Sequence, residues 1–154
     1  MPKTAAVRFV AVMLALPVLA CGGSPTGPDS DLPNYQGVWQ GTWAKTSCIG
    51  AVCDVVPASG GLRLTLTQSG NEVQGTVELA SFVIPASGSV NANGVLSLAG
   101  TTNQGGATAT LSNWNTTRTG SSVNGTFTLT IVPNDPQIGP QTVGVTLQNV
   151  ARTS

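Results

Sequence analysis

From Val38 to Val150, apolar and polar residues alternate with a period of two, and no stretch in that span repeats apolar residues at helical spacing. Leu62, Leu64 and Leu66 alternate with Arg63, Thr65 and Thr67. Val123, Gly125, Phe127, Leu129 and Ile131 alternate with Asn124, Thr126, Thr128 and Thr130. The same rhythm runs through Val73–Leu79 and Val143–Leu147, and more weakly through Val38–Ala44, Val95–Ala99 and Ala107–Trp114. Successive side chains of a strand point to opposite faces, so each run has one apolar and one Thr-rich face. That is the pattern of antiparallel sheet wetted on one side. Between Phe82 and Val90 the rhythm is broken into Phe82–Ile84 or Ser89–Val90, and Pro85 predicts an edge, a bulge or a loop rather than a central strand.

The connectors fit hairpins. Ser69-Gly70-Asn71, Asn91-Ala92-Asn93-Gly94 and Arg118-Thr119-Gly120-Ser121 are short and rich in residues that tolerate positive φ. Two connections are longer, Lys45 to Gly61 and Pro133 to Gln141. About eight short strands joined mostly by tight turns predict an all-β fold, an antiparallel up-and-down β-barrel, with a β-sandwich as the alternative. A barrel also removes the edge strands that invite aggregation in a chain of which only 8% is charged. Gly41, Gly75, Gly125 and Gly144 fall inside the strand patterns, where Gly permits the bends of closure. Trp114, between Asn113 and Asn115, is expected near a strand end, either open to solvent or packed at the barrel rim.

The same composition narrows the chemistry. Six Lys and Arg balance six Asp and Glu, too few and too scattered to neutralise phosphates, so nucleic acid is not an expected partner. With no His, the common general base and the commonest zinc ligand are both missing. Asp54 and Asp135 fall in the long connections while Glu72 and Glu78 lie on one strand, so no two carboxylates form an acid pair. Ser-Lys chemistry is the one nucleophilic arrangement left formally open. The expectation is a protein that is not an enzyme, with no catalytic residues, no metal site and no cofactor.

The N-terminus carries an address. Lys3 and Arg8 precede an uninterrupted apolar run from Phe9 to Ala20, too short to cross a bilayer as a helix and of the length of a signal-peptide core. Val18-Leu19-Ala20-Cys21 resembles a bacterial lipobox, which implies that residues 1–20 are a lipoprotein signal peptide and that Cys21 becomes the lipidated first residue. Each buried acyl CH₂ contributes about 0.8 kcal/mol, so two or three chains hold a protein on a membrane. Residues 21–34 form the lipidated Cys and a flexible tether, rich in turn formers and lacking apolar periodicity, and residues 35–154 the barrel domain. An Asp after the lipidated Cys resembles an inner-membrane retention signal; Gly22 stands there instead, which leans towards the outer membrane. With Cys21 lipidated, Cys48 and Cys53 are left as one pair, expected to form a disulfide in an oxidising compartment. Closing so short a loop contributes about 2 kcal/mol.

A second resemblance concerns the fold. Asp31-Leu32-Pro33-Asn34-Tyr35-Gln36-Gly37-Val38-Trp39 resembles the opening of the lipocalin and avidin (calycin) barrels, in which a Gly-x-Trp starts the first strand. The repeated phrases Thr67–Thr76 and Gly120–Phe127 look like hairpins of small lipocalin-like bacterial lipoproteins. The resemblance implies that Trp39 plugs one barrel end with Arg152 against it, and that the interior holds a small apolar ligand. Trp43, Leu64, Phe127 and Leu129 are the inward residues expected to line such a site. The alternative is a structural or interaction lipoprotein with a solidly packed barrel and a partner-binding surface; which protein partner, the sequence leaves open.

Overall fold

The computed structural model describes residues 32–153; the N-terminal basic and apolar segment, Cys21, residues 22–31 and Ser154 lie outside the described residues. Eight strands follow one another: β1 (Gly37–Ile49), β2 (Ser59–Ser69), β3 (Glu72–Leu79), β4 (Phe82–Val90), β5 (Val95–Gln104), β6 (Ala107–Thr119), β7 (Ser122–Pro133) and β8 (Gln141–Arg152). Each pairs antiparallel with the next and β8 returns to β1, so the sheet closes into an up-and-down barrel. A single 3-10 turn, Cys53–Val55, interrupts the β1–β2 connection.

Register turns the period-two pattern into a filled interior. Trp39 pairs with Leu64, Leu64 with Val77, and Val77 with Ile84, and all four are fully buried. A second row runs through Leu111, Leu129 and Val143. Burying each such side chain contributes about 1.5–3 kcal/mol, and the Thr-rich faces stay in water. Closure also brings backbones into contact at inward positions. A Cβ at Gly75 would stand 1.9 Å from the Thr65 carbonyl oxygen, so only Gly fits where β3 presses on β2.

Two asparagines reset the alternation. Asn113 in β6 and Asn149 in β8 have φ of 51° and 52°, and the pairing of both strands shifts beside them. On β6, Ala107, Ala109 and Leu111 face inward before the bulge, and Trp114 and Thr116 after it. Trp114 is therefore buried in mid-strand, which corrects the expected position near a strand end and decides for packing over exposure. It stacks on Phe127 with ring centroids 4.8 Å apart, and its Nε1–H donates to Thr116 Oγ1 at 2.9 Å.

The stretch around Pro85 also differs from expectation, because Phe82–Val90 is one continuous strand. β3 pairs with it from Phe82 to Ser89, but β5 joins only from Ala86 onward. The Val83 N–H on the β5 side goes to Gln104 Oε1 at 2.8 Å instead. Pro85 lies on that same edge two residues later, before pairing with β5 begins, so its missing N–H interrupts no ladder bond, in keeping with the edge that Pro85 predicted. β1 also runs five residues further than the weak pattern predicted, to Ile49, which shortens the first long connection. Leu32, expected within the tether, packs on the core instead, and Pro33 accepts from Gln68 Nε2.

Candidate binding site

The up-and-down order gives the barrel two unlike ends. The β2–β3, β4–β5 and β6–β7 hairpins gather at one end with Leu32–Gln36 and Arg152; the other four connections gather at the opposite end. The first end is sealed. Trp39 is fully buried and its Nε1–H donates to the Tyr35 carbonyl at 2.8 Å. Tyr35, also fully buried, donates its hydroxyl to the Gly94 carbonyl at 2.8 Å in the β4–β5 turn. Burial raises the Tyr35 pKa above its ordinary value, opposed by the nearby Arg118, so the phenol keeps the proton it donates.

Two guanidinium groups cover this plug. Arg152, which pairs with Trp39 across β8 and β1, lies 5.9 Å from the centroid of its ring. Arg118 lies 5.5 Å from the same centroid, donates Nε–H to Gly120 O at 2.7 Å, and binds the Asn34 carbonyl through Nη1. Each cation over an indole face contributes about 0.5–1 kcal/mol where it is exposed. Arg118 had no assigned role in the sequence because its position before a hairpin turn says nothing of the strand it folds over.

The opposite end holds a cavity of about 200 Å³. Trp43 on β1, Leu79 on β3, Phe82 on β4, Leu129 and Ile131 on β7, and Val143 and Val145 on β8 form its walls, with Ala80 and Ser81 at the β3–β4 turn. Val55, Val56 and Pro57 from the β1–β2 connection complete the lining. Two devices hold that connection in place. The disulfide between Cys48 and Cys53 closes its first half, and Lys45 Nζ donates to the carbonyls of Cys53 at 3.1 Å and Val56 at 2.8 Å. The Lys45 N–H adds a bond to Ala58 O at 2.7 Å.

Among the residues expected to line a ligand site, the structure brings Trp43 and Leu129 into this cavity. Leu64 and Phe127 lie deeper: Leu64 is fully enclosed beside its pairing partner Trp39, and the face of Phe127 is taken by Trp114. Val143, Val145 and Ile131 are lining residues that the sequence reading left out, although their inward phase was legible. The contribution of Val55–Pro57 carried no sequence signal, since it depends on how the loop folds back. The lipid-attachment residue Cys21 lies outside the described residues.

Trp43 is 3% exposed, and its Nε1 is the one fully enclosed side-chain nitrogen or oxygen among the described residues that has no hydrogen-bond partner. The ring edge lies over Gly60, its pairing partner on β2, where a Cβ would come within 2.9 Å of Nε1. The large apolar side chains that remain exposed, Ile49, Val55, Val83, Val132 and Ile138, all belong to strand ends or connections at this same end. Among the described residues, no three Cys, Asp or Glu side chains come together as a metal-ligand group would require. Compared with known proteins, the chain matches no family model, no curated protein and no solved structure.

Proposed function

We propose that the chain is a lipid-anchored protein of a bacterial cell envelope, non-catalytic, whose barrel binds a small apolar ligand at its open end. The observation that carries the ligand is the cavity itself: about 200 Å³, walled almost wholly by apolar side chains, in a barrel sealed at the other end. Eight-stranded barrels have room for side chains or for one small ligand, and here side chains fill all but the last layer. Val55, which lines the cavity and is largely exposed, gives the mouth an apolar edge that suits the passage of such a ligand. The lipid anchor rests on the lipobox-like Val18–Cys21, and Gly22 favours the outer membrane. Leu32–Asn34 meet the barrel at the sealed end, so the chain leading from Cys21 joins the barrel at the end opposite the mouth.

All eight strands and the core lie within residues 32–153, so a chain starting at Gly22 keeps the whole fold. Native mass spectrometry of that chain, exported to an oxidising periplasm and purified without detergent, tests the ligand. An added mass that organic extraction removes supports it. A clean apo mass, unchanged by small apolar compounds, favours the second reading: a packed interaction protein whose apolar rim at the open end meets a partner. Incorporation of labelled palmitate into the full chain, abolished by Cys21→Ser, tests the anchor.

A further inference from the structure

The cavity at the open end is shallow. β7 gives it Leu129 and Ile131 and β8 gives it Val143 and Val145, two successive inward residues each, while β1, β3 and β4 give one inward residue apiece. Two successive inward residues on a strand stand only about 7 Å apart. The next inward residues towards the sealed end, Val77 on β3, Ile84 on β4 and Phe127 on β7, are at most 2% exposed and belong to the packed core, so the cavity ends on a solid floor. An engineered apolar cavity of about 150 Å³ in another protein holds benzene. On that scale the cavity of about 200 Å³ holds about eight carbon atoms gathered into one body. We propose that the site selects a compact, uncharged hydrocarbon body of about six to eight carbon atoms, the size of a small alkylbenzene, and leaves the long chain of a membrane lipid outside. The inference rests on the cavity being a ligand site and adds the size and charge of what enters it.

The charge follows from the walls and the mouth. Among the lining residues only Trp43 and Ser81 carry a polar side-chain atom, and none is ionisable. Lys45 Nζ, two residues on from Trp43, is committed to the Cys53 and Val56 carbonyls. Arg63 lies on the outer face of β2, in the opposite phase to the inward Leu62 and Leu64. The connections at this end carry two exposed carboxylates, Asp54 beside the lining residue Val55 and Asp135 between β7 and β8. An anionic group drawn into the cavity would therefore lose its water with no counter-charge, and one left at the mouth would meet Asp54 rather than a cation. A neutral apolar body meets neither cost, and every carbon that reaches the walls is taken out of water. A chain longer than the cavity is deep gains nothing from its further carbons, because the floor of Val77, Ile84 and Phe127 stops it and the rest stays in solvent.

The test is a calorimetric series on the chain beginning at Gly22: benzene, ethylbenzene, butylbenzene and octylbenzene, with phenylacetate as the charged counterpart of ethylbenzene. Up to about eight carbons each added carbon is expected to raise affinity about fourfold, the gain of one buried CH₂, and beyond that by less than about twofold. Phenylacetate, with as many carbons as ethylbenzene, is expected to bind at least about tenfold more weakly. Methyl resonances of Leu129, Val143 and Val145 in carbon-13-labelled protein locate the bound molecule, and ethylbenzene is expected to move them. Val143→Phe, which sets a ring inside the cavity, is expected to weaken ethylbenzene at least about tenfold. Affinity that still climbs about fourfold per carbon through octylbenzene, or phenylacetate bound as tightly as ethylbenzene, overturns the proposal while leaving the ligand site intact. If no member of the series binds, or if ethylbenzene binds and the three residues' methyls do not move, the ligand site itself falls and the proposal with it. The series and the methyl shifts are read on the unmodified chain, so they stand even where Val143→Phe folds poorly.

Discussion

Tyr35→Phe isolates a single hydrogen bond in the plug. The aromatic ring stays, with its tilted contact to Trp39 at 6.4 Å, and only the hydroxyl that donates to Gly94 O is removed. A second carbonyl, Thr116 O, lies 3.4 Å from the same oxygen, too far to take over and competing for the same hydrogen. The Gly94 carbonyl is then left buried and unpaired on that side, a loss of about 1–3 kcal/mol. At about 4 °C per kcal/mol for a domain of this size, the melting temperature falls by roughly 4–12 °C. The difference depends on pH in a defined direction. The folded state holds the phenolic proton more tightly than the unfolded chain, chiefly through burial, with Arg118 opposing. Tyr35 therefore contributes its full stability below the ordinary tyrosine value near 10, and that contribution is lost as pH rises through the raised folded value. Urea unfolding followed by tryptophan fluorescence, at neutral pH and in steps above pH about 10, should show the two proteins converging at the alkaline end. Tyr35 is the single tyrosine of the chain, so near-ultraviolet absorbance titrates it directly. Equal stability of the two proteins at neutral pH, or ionisation of Tyr35 at its ordinary value in the folded barrel, would refute the reasoning.

Gly75→Ala places a methyl 1.9 Å from Thr65 O, which cannot move without breaking the β2–β3 ladder; a loss of at least about 1–3 kcal/mol is expected in denaturant unfolding. Asn113→Val forces a β-branched residue to a φ of 51° and should destabilise by about 1–2 kcal/mol, whereas Asn113→Gly should be near neutral. Replacing Cys48 and Cys53 together by Ser should lower stability by no more than about 2 kcal/mol, with faster amide hydrogen exchange confined to the β1–β2 connection.

The fold was legible because its main signal is periodic and survives without any neighbour in view. Leu62–Leu66 and Val123–Ile131 announce which face is inward, and eight such runs with short turns leave few ways to satisfy their edges. What escaped was aperiodic. The bulge at Asn113 shifts the phase by one residue, so Trp114 turns inward although the local pattern placed it outside. The β3–β4 turn is Ala80-Ser81, with Ala80 at a φ of 50°; lacking Gly, Asn or Pro, it left no punctuation and blurred the start of β4. At the candidate site the sequence could say that Trp43, Leu64, Phe127 and Leu129 face inward. It could not say how high each sits along the barrel axis. That height depends on strand stagger, and it separates Trp43 and Leu129 at the mouth from Leu64 and Phe127 in the packed layers.

The two ends are held by different forces, and the difference bears on function. At the plug, Tyr35, Trp39, Gln68, Arg118 and Arg152 tie the entering chain to the hairpins β2–β3, β4–β5 and β6–β7 through hydrogen bonds and cation–aromatic contacts. Such bonds are directional, and breaking one strands a buried partner, so this end resists partial opening. At the mouth the β1–β2 connection rests on apolar contact, one disulfide and one lysine, and its covering residues Val55–Pro57 lie outside the ladder. Apolar contacts are non-directional, and a ligand of similar character replaces them with little loss. A barrel built this way opens at the mouth before it opens at the plug.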